Sequence, residues 1–459
     1  MKENKTLIIV SFATLMESVD ATILNTAIPA MSKSFNEHPI DLKLALISYL
    51  LSLAIFIPIS GWIADKFGIK KVFISAIALF TLSSLWCGYT HSLNELIVSR
   101  IFQGIGGSLT IPVGRLVILR AYERHQLVSK MGIMVIIQSF GMMIGPLLGG
   151  LIIHNLSWPW IFWVNVPIGL VAITLAIRVL PPMPKIPVPP LDKIGFVLFG
   201  TGLATLTYSL SIVSESEIGL TQAVIAFVIA VLLLVGYLLH SKNKKYPIIK
   251  AHLLYIRTFQ IGVMGNVLTR LSFGGLPFLV PLMLQIILGY SAQLSGLLIT
   301  PIALGVITAK PLALHLLRLL GYRILLTINT ILTGISLLSF ATITQQSSMV
   351  WIGFLTYFYG FIIAIQYTGM NSLAYANVDV EDMSAATSIM STIQQLGLSF
   401  GVAISAILVT FYSYELTSYR VLNLKTFHYT FISLTILTLL ACFIFIHIKN
   451  EDGKELIGK

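Results

Sequence analysis

The chain has 459 residues, 56% of them hydrophobic and only 10% charged, with a mean hydropathy of +0.90. A soluble domain carries about 25% charged residues, so this composition excludes a soluble enzyme or nucleic-acid binder and describes an integral membrane protein. The formal charge of +11 reflects membrane topology, and the two cysteines, Cys87 and Cys442, lie in apolar segments without disulfide or metal spacing.

Segments apolar and long enough to span a bilayer as helices fall at about 6–30, 43–64, 71–90, 93–118, 128–153, 160–180, 192–213, 220–240, 257–288, 293–317, 323–343, 349–371, 384–412 and 427–447, fourteen in all. The first is too long for a signal-peptide core and has no small-residue cleavage site, so it reads as a retained helix. An even count puts both termini on one side. With cytoplasmic termini, twenty-one Lys and Arg fall on that side against four opposite (Lys33, Lys43, Arg420 and Lys425), a strong positive-inside bias. Arg100, Arg115, Arg270 and Lys310 fall within the segments.

Two linkers divide the chain. The stretch from Pro181 to Pro190 is too proline-rich for a helix and reads as a stiff extended connector. Ser241 to Lys250 is short and basic. The expected plan is an all-α membrane protein with a six-helix bundle at 1–180. A linker, two inserted helices and a basic loop follow at 181–250, and a second six-helix bundle with a short tail at 251–459. Two six-helix halves suggest a transporter built from repeats.

Inside the first segment stand Glu17 and Asp20, three apart and so on one helix face. A charge at the bilayer centre costs at least a few kcal/mol, so that face must look at protein or water. Either the pair serves a proton or substrate site, or it is structural. Helix rise puts Asp20 about 21 Å along the first segment and Arg100 about 10 Å into the fourth, which runs the other way. The two charges then lie at matching depth and are expected to face each other.

Four stretches carry further signals. Gly61-Trp62-Ile63-Ala64-Asp65-Lys66-Phe67-Gly68-Ile69-Lys70-Lys71 follows the second segment. There Gly61 permits close helix approach, Gly68 permits a turn, and Asp65 can pair with a basic residue or a helix N-terminus. Arg318-Leu319-Leu320-Gly321-Tyr322-Arg323 is a weaker echo without the Asp. The fourth segment contains Arg100-Ile101-Phe102-Gln103-Gly104. The fifth contains Gly141-Met142-Met143-Ile144-Gly145-Pro146-Leu147-Leu148-Gly149-Gly150, whose four-spaced glycines allow close packing and whose Pro146 kinks the helix.

These stretches resemble the signatures of the major facilitator superfamily. The loop at 61–71 is similar to its cytoplasmic-loop motif, Arg100 with Gln103-Gly104 to its second motif, and 141–150 to its antiporter motif. Asp20-Ala21-Thr22-Ile23-Leu24-Asn25-Thr26-Ala27-Ile28-Pro29 and Trp158 to Gly169 resemble the fourteen-helix drug:proton antiporters of the EmrB/QacA type. Pro159 stands where many relatives have a polar residue. Pro112 to Arg115, Arg270 and Gly321-Tyr322-Arg323 look closest to the MdtD-like subgroup.

The resemblance implies a proton-coupled antiporter that exports small organic compounds across a bacterial inner membrane by alternating access. Both termini would be cytoplasmic. Asp20 is the first choice for proton carrier, Glu17 the second, with Arg100 tuning Asp20. Gly61, Asp65, Lys66, Gly68, Lys70 and Lys71 would gate the cytoplasmic side, and Gly141, Gly145, Pro146, Gly149 and Gly150 would shape the pivot. Arg270, Gln103, Asn25, Gln366 and Asn371 are candidates for a substrate cavity, with Gln394 and Gln395 beside them. For the amides, ordinary interhelical hydrogen bonding is an equal reading.

Arg270 would attract an anionic group or pair with a carboxylate from the other half. This leaves room for a specific anionic metabolite, such as a siderophore or carboxylate, in place of multidrug export. Uptake symport and a non-transporting membrane sensor are the other rivals. His154, His240, His315 and His447 show no ligand spacing. The absence of a GxxxxGK[ST] loop argues against ATP-driven transport, and no cofactor, metal or enzyme activity is expected. The expected partners are a small-molecule substrate, protons and the lipid bilayer, with no nucleic acid, and the chain reads as a monomer.

Overall fold

The computed structural model describes residues 2–182, 185–213, 217–417, 419–449 and 451–453. Met183-Pro184 of the proline-rich connector, and Lys454 and Lys459 of the basic count, lie outside them. Every regular element among the described residues is helical. Among the described residues, thirteen helices are long and apolar enough to cross a membrane: α1 (Lys5–Thr26), α2 (Lys43–Phe67), α3 (Ile69–Gly88), α4 (Leu93–Ala121), α5 (Ser129–Asn155), α6 (Trp160–Val179), α7 (Lys193–Ile212), α8 (Leu220–Lys242), α9 (Arg257–Ile287), α10 (Ala292–Phe340), α11 (Met349–Tyr375), α12 (Met383–Thr417) and α13 (Leu424–Ile446). The chain is a multi-pass membrane protein.

Thirteen rather than fourteen has a local cause. At 49 residues, α10 would be about 73 Å long as one rod, more than twice the ~30 Å hydrocarbon core. It turns at Gly321, where φ is 75° and ψ 169°, a conformation that glycine alone takes readily. The two segments expected at 293–317 and 323–343 therefore both exist, joined through one glycine.

The chain forms two compact units. One comprises Met1–Lys193 with Ser291–Leu297, the other Ile194–Tyr290 with Leu298–Lys459. The proline-rich connector runs with the first unit and the α7–α8 hairpin with the second.

In the first unit, α4 starts where Ser92 caps it: Glu95 N–H donates to Ser92 Oγ at 3.3 Å, and Glu95 Oε2 accepts from His91 N–H at 2.8 Å. Its apolar face joins a core that includes Val10, Tyr49, Phe73, Phe80 and Ile118. Helix α5 lies against α1 through glycines. A Cβ on Gly141 would stand 2.8 Å from Ser18 Cβ, and Cβ atoms on Gly145 and Gly149 would collide with the hydroxyls of Thr22 and Thr26. Four-residue spacing on both helices brings the backbones together along that line.

In the second unit, Leu317, Leu326, Met370 and Phe445 anchor one core cluster, and Leu253, Phe259 and Ile389 another. Helix α12 meets α9 by the same device, since a Cβ on Gly397 would press on Arg270 Cβ at 2.9 Å and one on Gly401 on the Arg270 carbonyl. Hydroxyls inside the spans, such as Thr14, Ser18, Thr269 and Thr330, donate to the carbonyl four residues back. An apolar surrounding leaves no water to satisfy them.

Candidate functional site

The first unit holds a buried ion pair. Arg100 Nη1 on α4 donates to Asp20 Oδ2 on α1 at 2.7 Å, with the side chains 1% and 0% exposed. The other carboxylate oxygen, Asp20 Oδ1, accepts from Gln103 Nε2 at 2.8 Å and from Asn165 Nδ2 at 2.9 Å. Gln103 Oε1 accepts from Arg100 Nη1 at 2.6 Å, which fixes the orientation of that amide. Ser84 Oγ on α3 accepts from Gln103 and Asn165 and donates to the Phe162 carbonyl. Arg100 also donates from Nε to the Ala45 carbonyl at 3.3 Å and lies over the Tyr49 ring at 4.1 Å. Charge-assisted bonds of this kind are roughly twice as strong as neutral ones.

Gln103, expected to line a cavity, is wholly buried in this network and holds the carboxylate. Asn165 and Ser84 were not singled out in the sequence, although Asn165 lies within the Trp158–Gly169 motif. Glu17 is 5% exposed, and its Oε2 has no hydrogen-bond partner among the described residues. Asn25 is buried on the short 3-10 turn Leu24–Thr26, beyond Asp20.

The cytoplasmic-loop motif forms its own cluster. Asp65 Oδ1 pairs with Arg120 Nη2 at 3.2 Å, both side chains about one-third exposed. Gly68 has φ 97°, which the turn into α3 requires. Lys70 Nζ donates to the Ile177 and Leu180 carbonyls at the end of α6, at 2.9 and 2.5 Å. Lys66 lies over the Trp62 ring at 4.4 Å. The connector also docks here: Trp62 Nε1 donates to the Pro189 carbonyl at 2.8 Å and Ile186 N–H to the Asp65 carbonyl at 3.0 Å. Gly61 does not make the expected close approach, since a Cβ there would meet nothing within 4 Å. Lys71 is exposed. In the fifth-segment motif, a Cβ on Gly150 would collide with the Ala292 carbonyl, and one on Gly296 would collide with the Pro146 carbonyl.

In the second unit, Arg270 on α9 is 6% exposed. Its Nε donates to Asn266 Oδ1 at 3.3 Å and its guanidinium lies 3.9 Å from the Tyr367 ring centre. Asn371 Oδ1 accepts from Asn266 and from Gln394 at 3.3 and 3.0 Å. Gln366 belongs to a different set, accepting from Asn329 Nδ2 at 2.8 Å and donating to Thr330 at 2.9 Å. Five residues on a helix are about 140° apart, so Gln366 and Asn371 face different neighbours and do not share one cavity wall. Among the described residues no carboxylate lies within ion-pair distance of Arg270.

Comparison with known proteins gives concordant results. Residues 10–399, and again 262–458, match the Major Facilitator Superfamily. The chain is 36% identical over 448 residues to the transport protein HsrA of Haemophilus influenzae, covering 98% of this chain and 96% of that one. It is 34% identical over 450 residues to MdtD of Enterobacter sp., named for multidrug resistance, covering 98% and 95%. The fold resembles the crystal structure of a D-xylose-proton symporter, with TM-score 0.69 at 16% identity over 98% of this chain and 99% of that one. It also resembles a human organic anion transporter, with TM-score 0.62 at 14% identity over 96% and 99%.

Proposed function

The chain belongs to the major facilitator superfamily and is a transporter similar to MdtD and HsrA, and from that premise we propose that it is a proton-coupled antiporter. It exports small organic compounds of the multidrug type across a bacterial inner membrane by alternating access, with both termini cytoplasmic and the fourteen-helix EmrB/QacA-type branch as its home. The observation that carries the reading is the pair of carboxyls buried on α1, one of them bound to Arg100. Intramembrane ionisable groups mark ion and substrate pathways, and Asp20, Glu17 and Arg100 form the proton-coupling group. The Asp65–Arg120 pair with Lys66, Gly68, Lys70 and Lys71 is the cytoplasmic gate, and the glycine seam of α5 with Pro146 is the packing against which α1 moves. Gln103 is reassigned to support of the Asp20 network, Asn371 to that of Arg270, Gln366 to its own set with Asn329 and Thr330, and Asn25 to the turn that ends α1. The name of the MdtD relative supports the export of drugs.

Ethidium transport into inverted membrane vesicles tests this. Uptake driven by an inward-acid pH gradient, abolished when the gradient is collapsed, is expected. Transport indifferent to the gradient overturns proton coupling, and transport in the opposite direction favours uptake symport.

Arg270 favours a second reading, in which the exported compound is a specific anion such as a carboxylate. A buried guanidinium offers planar two-point recognition of a carboxylate. Loss of carboxylate binding in Arg270→Ala supports it, and retained binding counts against it.

A further inference from the structure

The two carboxyls on α1 have unlike surroundings. Asp20 receives three donors: Arg100 Nη1 on Oδ2, and Gln103 Nε2 and Asn165 Nδ2 on Oδ1. An ionised carboxylate only accepts, whereas a protonated one must donate. A proton on Asp20 would point at one of these donors unless the Asn165 amide turned, since Asn165 Oδ1 has no hydrogen-bond partner among the described residues. Gln103 cannot turn its oxygen toward Asp20, because that oxygen already receives Arg100 Nη1. Arg100 is itself held by the Ala45 carbonyl and the Tyr49 ring.

Glu17 sits one turn away on the same helix. Its Oε2 is buried without a hydrogen-bond partner among the described residues, and so is the Tyr49 hydroxyl of α2. Both flank Gly107 of α4, where a Cβ would stand 3.1 Å from the Tyr49 oxygen and 3.4 Å from Glu17 Oε1. The titratable and charged groups that act on Glu17 are Asp20 on its own helix, Tyr49 on α2 and Arg115 on α4. A buried polar atom left unbonded costs about 1–3 kcal/mol, so these two oxygens come at a cost to stability.

We infer that Glu17, rather than the motif residue Asp20, takes up and releases the transported proton, while Asp20 holds Arg100, Gln103 and Asn165 in place. The inference rests on the antiport reading above. In the step, an O–H bond of the Glu17 carboxyl breaks, the proton passes to water and the carboxylate remains. Re-protonation from the other side of the membrane closes the cycle. Asp20 is then a positioning residue, which sets the orientation of Arg100, Gln103 and Asn165 around α1.

Infrared difference spectroscopy of the purified full-length protein, acid minus alkaline, tests the assignment without a substrate. The wild type should show the carbonyl stretch of a buried protonated carboxyl. The band should vanish in Glu17→Gln, persist in Asp20→Asn, and return at a shifted midpoint in Glu17→Asp. A band that survives Glu17→Gln, or a wild type without one, overturns the inference. Should Asp20→Asn fail to fold, the Glu17→Gln and Glu17→Asp spectra decide it. In proteoliposomes, Glu17→Gln should keep ethidium binding and lose ethidium transport driven by a pH gradient. If wild-type ethidium transport ignores the gradient, the antiport reading fails, and the infrared arm still reports which carboxyl titrates.

Discussion

Helix α1 in the first unit and α9 in the second are built alike and charged differently. Each is met by a later helix whose small residues recur every four positions: Gly141, Gly145 and Gly149 on α5, and Gly397, Gly401 and Ser405 on α12. Each carries a buried polar network. In the first, the cation Arg100 is balanced by Asp20 at 2.7 Å. In the second, the cation Arg270 has two neutral asparagines, a glutamine and a tyrosine ring. Packing of this kind tolerates the difference in charge because backbone approach depends on the small residues, whereas charge depends on a few side chains.

The contrast is broken most directly at Arg100. Arg100→Ala leaves Asp20 buried without its counter-charge, which should cost about 3–5 kcal/mol, read as a large drop in the thermal midpoint in detergent. Asp20→Asn combined with Arg100→Leu should recover most of that loss, because no charge is then left alone. If the single and double variants lose equally, the pair is not the balanced unit described here.

A smaller effect tests the packing the two units share. Gly145→Leu puts a side chain where even a Cβ collides with Thr22 and stands 3.0 Å from the Val19 carbonyl. Overpacking of this kind costs about 1–3 kcal/mol. Gly61→Leu, where a Cβ meets nothing within 4 Å, should leave the midpoint unchanged. Equal losses at both positions would remove the case for a specific α1–α5 seam.

Arg270→Leu should have the opposite sign to Arg100→Ala. A buried ion costs several kcal/mol, of which the Tyr367 ring offsets about 2 kcal/mol. Removing the cation is therefore expected to raise stability by about 1 kcal/mol. A midpoint that falls as far as that of Arg100→Ala would mean that Arg270 is balanced after all, and the asymmetry between the units would disappear.

Most of this architecture is legible in the sequence, because lipid demands long apolar runs and those runs end within a few residues of the observed helices. The Asp20–Arg100 pairing is legible for a related reason: two costly charges at equal depth have few other partners. Side-chain neighbours across helices are not legible in the same way. Asn165 sits in a motif whose residues gave no hint of which one turns inward. Asn266 lies one turn before Arg270, a spacing that could have marked it. Gln366 and Asn371 are both expected at a cavity, but their five-residue spacing places them on different helix faces. The glycines at 397 and 401 carried the same four-residue signal as those of α5 but without the flanking proline.

The smallest effect belongs to an ion pair outside the spans and separates buried from exposed charge. Asp382, just before α12, accepts from Lys250 Nζ at 2.6 Å and meets His252 Nε2 at 2.9 Å. Hydrogen bonds from Lys250 and then His252 hold its carboxyl below the ordinary carboxylate range. A folded-state value below the unfolded one, about 3.9, means that the carboxylate's contribution is fully present above the unfolded value. It is lost as pH falls through the folded value. Asp382→Asn should therefore lower the thermal midpoint slightly near neutrality and match the wild type at strongly acid pH. Because the pair is solvated, high salt should shrink the difference. The Arg100→Ala deficit should persist in high salt, because buried pairs are screened much less. A salt-insensitive Asp382 effect would place that carboxylate with the buried charges instead.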